Sequence, residues 1–180
     1  MNVRFHRTSQ IPQACQASKM RDALMRQVYR LGYGVLWAVW FVHPPRGRGV
    51  KGLLTNAGQV LLVRHTYGPH EWELPGGGSR RGEAPITTLR RELREELGVE
   101  VAAPTALGAV NGPGRFSGTR VSYFTAELPA RGVVRDPVEI AEVAWFDPAS
   151  PPAPLGWYAA QALVRHCEAL ASRASDPGSP

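Results

Sequence analysis

Apolar and polar positions follow two different periods along the chain, and the changes of period divide it into elements. Over residues 18–42 apolar side chains recur at Met20, Leu24, Val28, Leu31, Val35, Ala38 or Val39, and Val42, the spacing of one helical stripe. His43-Pro44-Pro45 ends that run, since proline lacks an amide donor and clashes with the preceding turn. Gly32 and Gly34 weaken any single straight helix there. The runs "GVKGLLT" and "QVLLVRH" flank Asn56-Ala57-Gly58 and read as two strands around a short turn. A helix is predicted over Pro85–Leu97, because Pro85 suits a first turn and Gly98 a C-terminal cap. Its apolar stripe is Ile86, Leu89, Leu93 and Leu97. Strand signals return over residues 100–110, 119–127 and 139–146, and a last helix is predicted over residues 155–170. Residues 1–17 are polar and mixed and read as poorly ordered, residues 173–180 as a flexible tail, and no internal repeat is evident.

At 180 residues and 43% hydrophobic, the chain suits one globular domain over residues 48–172, preceded by an N-terminal extension over residues 1–47. Cys15 and Cys167 stand far apart without metal-type spacing, so no disulfide framework is indicated and the reducing cytoplasm is the default location. The first thirty residues lack the continuous apolar core of a secretory signal. The net charge of +6 is unevenly spread. Residues 1–50 hold eight Lys or Arg against Asp22 alone, whereas the other 130 residues hold 13 basic and 14 acidic groups. The body therefore lacks the basic excess of a nucleic-acid-binding core, and no nucleic-acid partner is expected.

One stretch concentrates the chemistry. "ELPGGGSRRGEAPITTLRRELREELGVE", residues 73–100, holds six of the fifteen acidic residues directly behind a run of three glycines. Glu92, Glu95 and Glu96 stand at i, i+3 and i+4, so one helix face carries all three carboxylates. Such a cluster without interleaved lysine is an oxygen-donor set for a hard cation, Mg²⁺ or Mn²⁺. The competing reading is a solvated acidic helix face. The wider spacing bears on the choice: Gly77, Glu83, Arg91, Glu92, Leu93, Glu95, Glu96, Gly98 and Val99 fit G-x5-E-x7-R-E-U-x-E-E-x-G-U, with U a bulky aliphatic residue. All nine fixed positions match the signature box of the Nudix hydrolases, which this segment resembles, and "EWELPGGG" resembles the family's usual lead-in. The resemblance covers roughly residues 48–150, with Thr87-Thr88 standing where alanines are common.

The resemblance implies an α/β/α sandwich with a mixed sheet, carrying a loop–helix–loop element that cleaves a diphosphate linked to another moiety. By position, Glu92, Glu95 and Glu96 would hold divalent metal, Mg²⁺ or Mn²⁺. Glu83 and Arg91 would pair between loop and helix, and Gly76, Gly77 and Gly78 would turn the backbone beside the substrate. Water activated at the metal would attack phosphorus, so no covalent nucleophile is needed. The general base would be Glu92, or an acid of "DPVEIAEVAWFD", with Glu139 ranked ahead of Glu142. For a nucleotide-type substrate, Trp72, Phe116 and Tyr123 could stack on a base or fill the core. Arg64, Arg115 and Arg120 could meet phosphates or stand solvated. Pro113 and Phe116 lie near subfamily marks of the family without registering on them, so the linked moiety stays unnamed. The alternatives are a nucleotide-binding module that does not cleave, and a membrane-associated hydrolase of lipid- or sugar-linked diphosphates.

The N-terminal helix poses a separate question. Residues 31–45 carry no charge, and 15 residues at 1.5 Å each cover about 22 Å, short of a ~30 Å hydrocarbon core. Tyr29, Tyr33, Trp37, Trp40 and Phe41 add aromatic surface, with arginines on both flanks. The expectation is a helix packed on its own domain or on a second copy as a homodimer. The alternative is an interfacial helix lying on anionic lipid.

Overall fold

Two strands whose middle residues are buried sit inside the sheet, and the rest is layered around them. In the computed structural model β1 (Gly47–Asn56) and β2 (Gln59–His65) form a hairpin that turns at Ala57-Gly58. The structure describes the backbone of residues 13–42 and 47–175, and side chains from 21 to 35 and from 47 to 172 except Arg115. The other strands are β3 (Thr105–Asn111), β4 (Thr119–Glu127) and β5 (Ile140–Phe146). Their order is β3-β4-β1-β2-β5, with β1 and β4 parallel and the remaining pairs antiparallel.

Helices cover both faces, which is why Val60 to Val63 are all buried irrespective of side-chain alternation. On one face α2 (Pro85–Leu97) packs Leu89, Leu93 and Leu97 against Val50, Leu54, Leu61 and Val63. On the other, α3 (Trp157–Ser175) sets Ala159, Ala162 and Leu163 against Leu53, Val60, Leu62 and Tyr123. Each large side chain removed from water in these layers contributes roughly 1.5–3 kcal/mol. The result is an α/β/α sandwich on a mixed sheet.

Several boundaries differ from the expectations. The first helix, α1, spans Gln13–Val42, beginning among residues read as poorly ordered and running unbroken through Gly32 and Gly34. The chain from residue 100 to 104 is irregular, so β3 starts at Thr105. Helix α3 starts two residues later than expected and runs through Ser175. Ile86 is exposed and does not join Leu89, Leu93 and Leu97 in the core. Residues 1–12 and 176–180 lie outside the described residues.

The described part of α1 meets the domain through tyrosines. Its apolar stripe does not dock on the domain: Leu24, Val28, Leu31 and Val35 are exposed. Contact runs instead through Tyr29 and Tyr33, whose ring centroids lie 6.0 and 5.4 Å from that of Tyr67. Tyrosine suits this place, since its ring packs while its hydroxyl can form a hydrogen bond. The side chains of Trp37, Trp40 and Phe41 lie outside the described residues. Among the described residues no helix is long and apolar enough to cross a membrane.

The segment after β2 returns across β1 and positions the glycine run. Gly52 donates to the Pro75 carbonyl, Val50 to that of Gly77, and Ser79 to that of Arg48, each at 2.9 Å. Gly76 has φ +125°, and a Cβ there would fall on the carbonyl oxygen of Val50. Gly76→Ala therefore combines backbone strain with a clash against backbone, a cost of about 2–4 kcal/mol. Thermal unfolding of that variant is expected roughly 5–15 °C lower; an unchanged melting temperature would contradict the close approach.

His65 ends β2 in a largely desolvated position. Burial first, then the nearby Lys51 ammonium, hold its imidazole down at about 4, against an opposing hydrogen bond to the Glu139 backbone. Its Nδ1 is buried without a hydrogen-bond partner. A depressed histidine leaves stability untouched above its unfolded pKa of about 6.5 and subtracts from it as pH falls from there to about 4. The loss amounts to about 3 kcal/mol. Urea unfolding of wild type and His65→Gln should therefore show a stability difference that moves by about that amount between pH 7 and pH 4, in favour of the variant at low pH. A pH-independent difference would contradict a buried neutral ring.

Candidate active site

The local chemistry of α2 explains why its acids stand where they do. Pro85 opens the helix, and Gly98 closes it in the left-handed conformation at φ 64°, donating to the Arg94 carbonyl while Val99 bonds that of Leu93. With both ends fixed and the leucines buried, the glutamates face the glycine run.

Glu96 is 3% exposed, and its Oε2 accepts the backbone N–H of Gly76 at 2.8 Å. Burial pushes its carboxyl up to about 7, opposed by Lys51 and the Gly76 amide and reinforced by the charges of Glu92 and Glu139. Glu92 lies against Gly77, where an added Cβ would come within 2.8 Å of its carboxylate. Burial raises Glu92 as well; the adjacent Arg91 opposes this, and Glu95 and Glu139 add to it. Glu95 is about half exposed.

Arg91 occupies the middle of the acids. Its Nε and Nη2 lie 3.0 Å from the two oxygens of Glu83, a two-pronged pair joining the loop to the helix. Nη1 reaches Glu92 at 2.7 Å and Glu95 at 3.0 Å, and Nη2 also donates to the Gly78 carbonyl. The Arg91 hydrogen bonds hold the Glu83 carboxyl down at about 2, helped by the Arg80 amide. Because the guanidinium stands between Glu92 and Glu95, the three α2 carboxylates are not gathered into one cage. Among the described residues no three His, Cys, Asp or Glu side chains are assembled to hold a metal ion.

A different trio shares one field. Glu139 adds its charge to that of Glu92 and Glu96, and its loop is pinned to α2 by Val134 to the Leu97 carbonyl and Asp136 to that of Glu96. Thr66 fixes the same loop through the carbonyls of Val138 and Glu139. Glu92 and Glu96, both raised by burial first and by neighbouring carboxylates after it, are oxygen donors whose chemistry fits a hard divalent cation, with Glu139 close enough to act on both.

Other residues marked in the sequence are engaged elsewhere. Arg64 pairs with Glu142 at 3.2 Å and lies 4.5 Å over the Trp72 ring, on the sheet face that carries α3 and not the face of Glu92 and Glu96. Trp72 and Tyr123 are core residues. Phe116 is half-buried, Arg120 is exposed, and the Arg115 side chain lies outside the described residues. The structure adds groups that no motif marked. Lys51 donates to the carbonyls of Leu74 at 2.8 Å and Gly76 at 3.3 Å, and Tyr29 donates to Glu139 Oε1 at 3.0 Å. A lone lysine in a strand and a tyrosine 110 residues from its partner carry no sequence signal.

Comparison with known proteins bears on the whole of this region. The NUDIX domain family model matches residues 45–167. An RNA pyrophosphohydrolase from Rhodospirillum rubrum is 35% identical over 94 residues, which are 44% of this chain and 57% of that protein. The NAD-capped RNA hydrolase NudC from Pseudomonas aeruginosa is 33% identical over 130 residues, 71% of this chain and 46% of that protein. The chain thus spans about half the length of these relatives. The crystal structure of a MutT NUDIX hydrolase from Burkholderia pseudomallei shares the fold at a TM-score of 0.62 and 24% identity, covering 67% of this chain and 98% of that one. The matched residues contain the sheet, α2 and the Glu139 loop, and this chain belongs to the Nudix hydrolase family.

Proposed function

We propose that the protein is a divalent-metal-dependent hydrolase of nucleoside diphosphates linked to another moiety. The observation that carries this reading is the buried Glu96 carboxylate, raised like Glu92 first by burial and further by the charge of Glu139, and opposed by Lys51 as Glu92 is by Arg91. Glu92 and Glu96 would hold the ion, Mg²⁺ or Mn²⁺, with Glu95 joining on release from Arg91. A bound ion of this kind offsets diphosphate charge and acidifies water. In the reaction a water oxygen forms a bond to phosphorus, the bridging P–O bond breaks, and the departing phosphate keeps the bridging oxygen with the electron pair of that bond. Glu139 takes the water proton, being the acid outside α2 that shares the field of Glu92 and Glu96. Glu142 is the weaker candidate because Arg64 engages it. Arg91 and Glu83 hold loop against helix, and the glycines let the backbone approach the acids.

Two relatives are named for RNA substrates, so a 5′ RNA end belongs beside small dinucleotides in any substrate screen. The near-neutral body favours a small nucleotide derivative over a long nucleic acid. Formation of AMP from ADP-ribose or NAD, and of pyrophosphate from 5′-triphosphorylated RNA, separates these, and binding without cleavage on all three would point to a non-catalytic module.

Chelation with EDTA should abolish turnover, and Mg²⁺ or Mn²⁺ should restore it. Glu96→Gln should lower kcat by about 10²-fold or more while circular dichroism stays native, since a charged group at the reaction centre is lost but no core contact is. Full turnover in that variant would refute the assignment. Arg91→Ala should lower both the melting temperature and turnover, the latter by about 10–100-fold, the scale of supporting groups behind metal ligands. Arg91→Lys should recover only part of each, because one ammonium cannot reproduce the fork. Wild-type behaviour of Arg91→Ala would contradict a role in holding the loop.

A further inference from the structure

We propose that Tyr29, contributed by α1 from outside the family-matched residues, is a positioning residue that orients the Glu139 carboxylate for proton abstraction. The inference rests on the reading of Glu139 as general base given above. The Tyr29 hydroxyl donates to Glu139 Oε1 at 3.0 Å across 110 residues of sequence. The backbone of Glu139 is fixed by the Thr66 amide, but among the described residues no other side chain bonds its carboxylate. A glutamate at a loop end has rotamer freedom, and a base must present one oxygen in a set direction to its water. By occupying Oε1, Tyr29 leaves Oε2 as the oxygen to be aimed.

The tyrosine is itself held. Its ring lies 6.0 Å from Tyr67, which also packs on Tyr33 at 5.4 Å and on His65 at 5.2 Å. Gly68 admits Tyr33 closely: a Cβ there would stand 3.1 Å from the Tyr33 ring. The docking site of α1 is thus a small aromatic cluster built at the end of β2, beside the acids. The Glu139 hydrogen bond is also the main reason the Tyr29 phenol keeps its proton more firmly than usual, so it remains a donor wherever Glu139 is charged. Hydrogen bonds of this charge-assisted kind fix a carboxylate more strongly than neutral ones. The docked face contrasts with the exposed Leu24, Val28, Leu31 and Val35, so the contact is not a by-product of burying the apolar stripe.

A double-mutant cycle on the full chain, with Mg²⁺ and whichever of ADP-ribose, NAD or 5′-triphosphorylated RNA is hydrolysed fastest, tests this. Tyr29→Phe keeps the ring packed on Tyr67 and removes only the hydroxyl. It should lower kcat by about 3–10-fold, the scale of one lost hydrogen bond, with KM changed by less than about twofold. Glu139→Gln should lower kcat by about 10²-fold or more, and adding Tyr29→Phe to it should lower kcat no further. Equal losses from Tyr29→Phe in both backgrounds, or none in the wild-type background while Glu139→Gln is impaired, would overturn the positioning role and leave the base intact. Full turnover in Glu139→Gln would overturn the base, and the positioning role with it. Wild-type inactivity on all three substrates would remove the hydrolase reading itself.

Discussion

Placing a carboxylate between a sheet and a helix is costly unless donors meet it, and Glu96 meets only one backbone donor, the amide of Gly76 at 2.8 Å. That contact fixes the glycine run over the C-terminal half of α2. Once Gly76 is tied to Glu96 on one side and pressed on Val50 on the other, Gly77 must run beside Glu92, and it has no side chain to obstruct it. Arg91 closes the assembly from outside through Glu83 and the Gly78 carbonyl. The glycines, the acids and the arginine are therefore one mechanical unit.

Lys51 shows why the charge of these acids is not neutralised from within. Its charge lowers both Glu96 and Glu73, while its ammonium donates to the carbonyls of Leu74 and Gly76. Glu73 is 3.9 Å away and has an Oε2 buried without a partner; burial raises it in turn. It fits only because Gly156, at the start of α3, has no Cβ to collide with its carboxylate. With Lys51 paired to Glu73 and Arg91 to Glu83, Glu92 and Glu95, the buried Glu96 has no ion-pair partner among the described residues. A divalent cation is the group whose charge and oxygen preference answer that deficit.

The parts legible in the sequence were those that local rules decide. Pro85 and Gly98 delimit α2 because one fits a first turn and the other a left-handed cap. The two runs flanking Asn56-Ala57-Gly58 read as strands around a short turn, which β1 and β2 form, and Glu83 and Arg91 stand at motif positions that meet in space at 3.0 Å. Tertiary contact decided the rest. Glu95 turns to Arg91 and Arg80 instead of toward Glu92, which no helical wheel reports. Arg64 went to Trp72 and Glu142 because strand alternation sends it to the α3 face. The apolar stripe of α1 was plain in the sequence, yet the helix is held by two tyrosines on its other side, through contacts with Tyr67 that no periodicity encodes.

The central claim, that the field around Glu96 is a cation site, is tested most directly by binding and not by turnover. Electron paramagnetic resonance of free Mn²⁺ titrated into the full chain gives the number and affinity of bound ions. The account predicts saturable Mn²⁺ binding that Mg²⁺ displaces, weakened by about 10-fold or more in Glu96→Gln and unchanged in Glu142→Gln, which removes an acid on the opposite sheet face. Equal Mn²⁺ affinity in wild type and Glu96→Gln would contradict it.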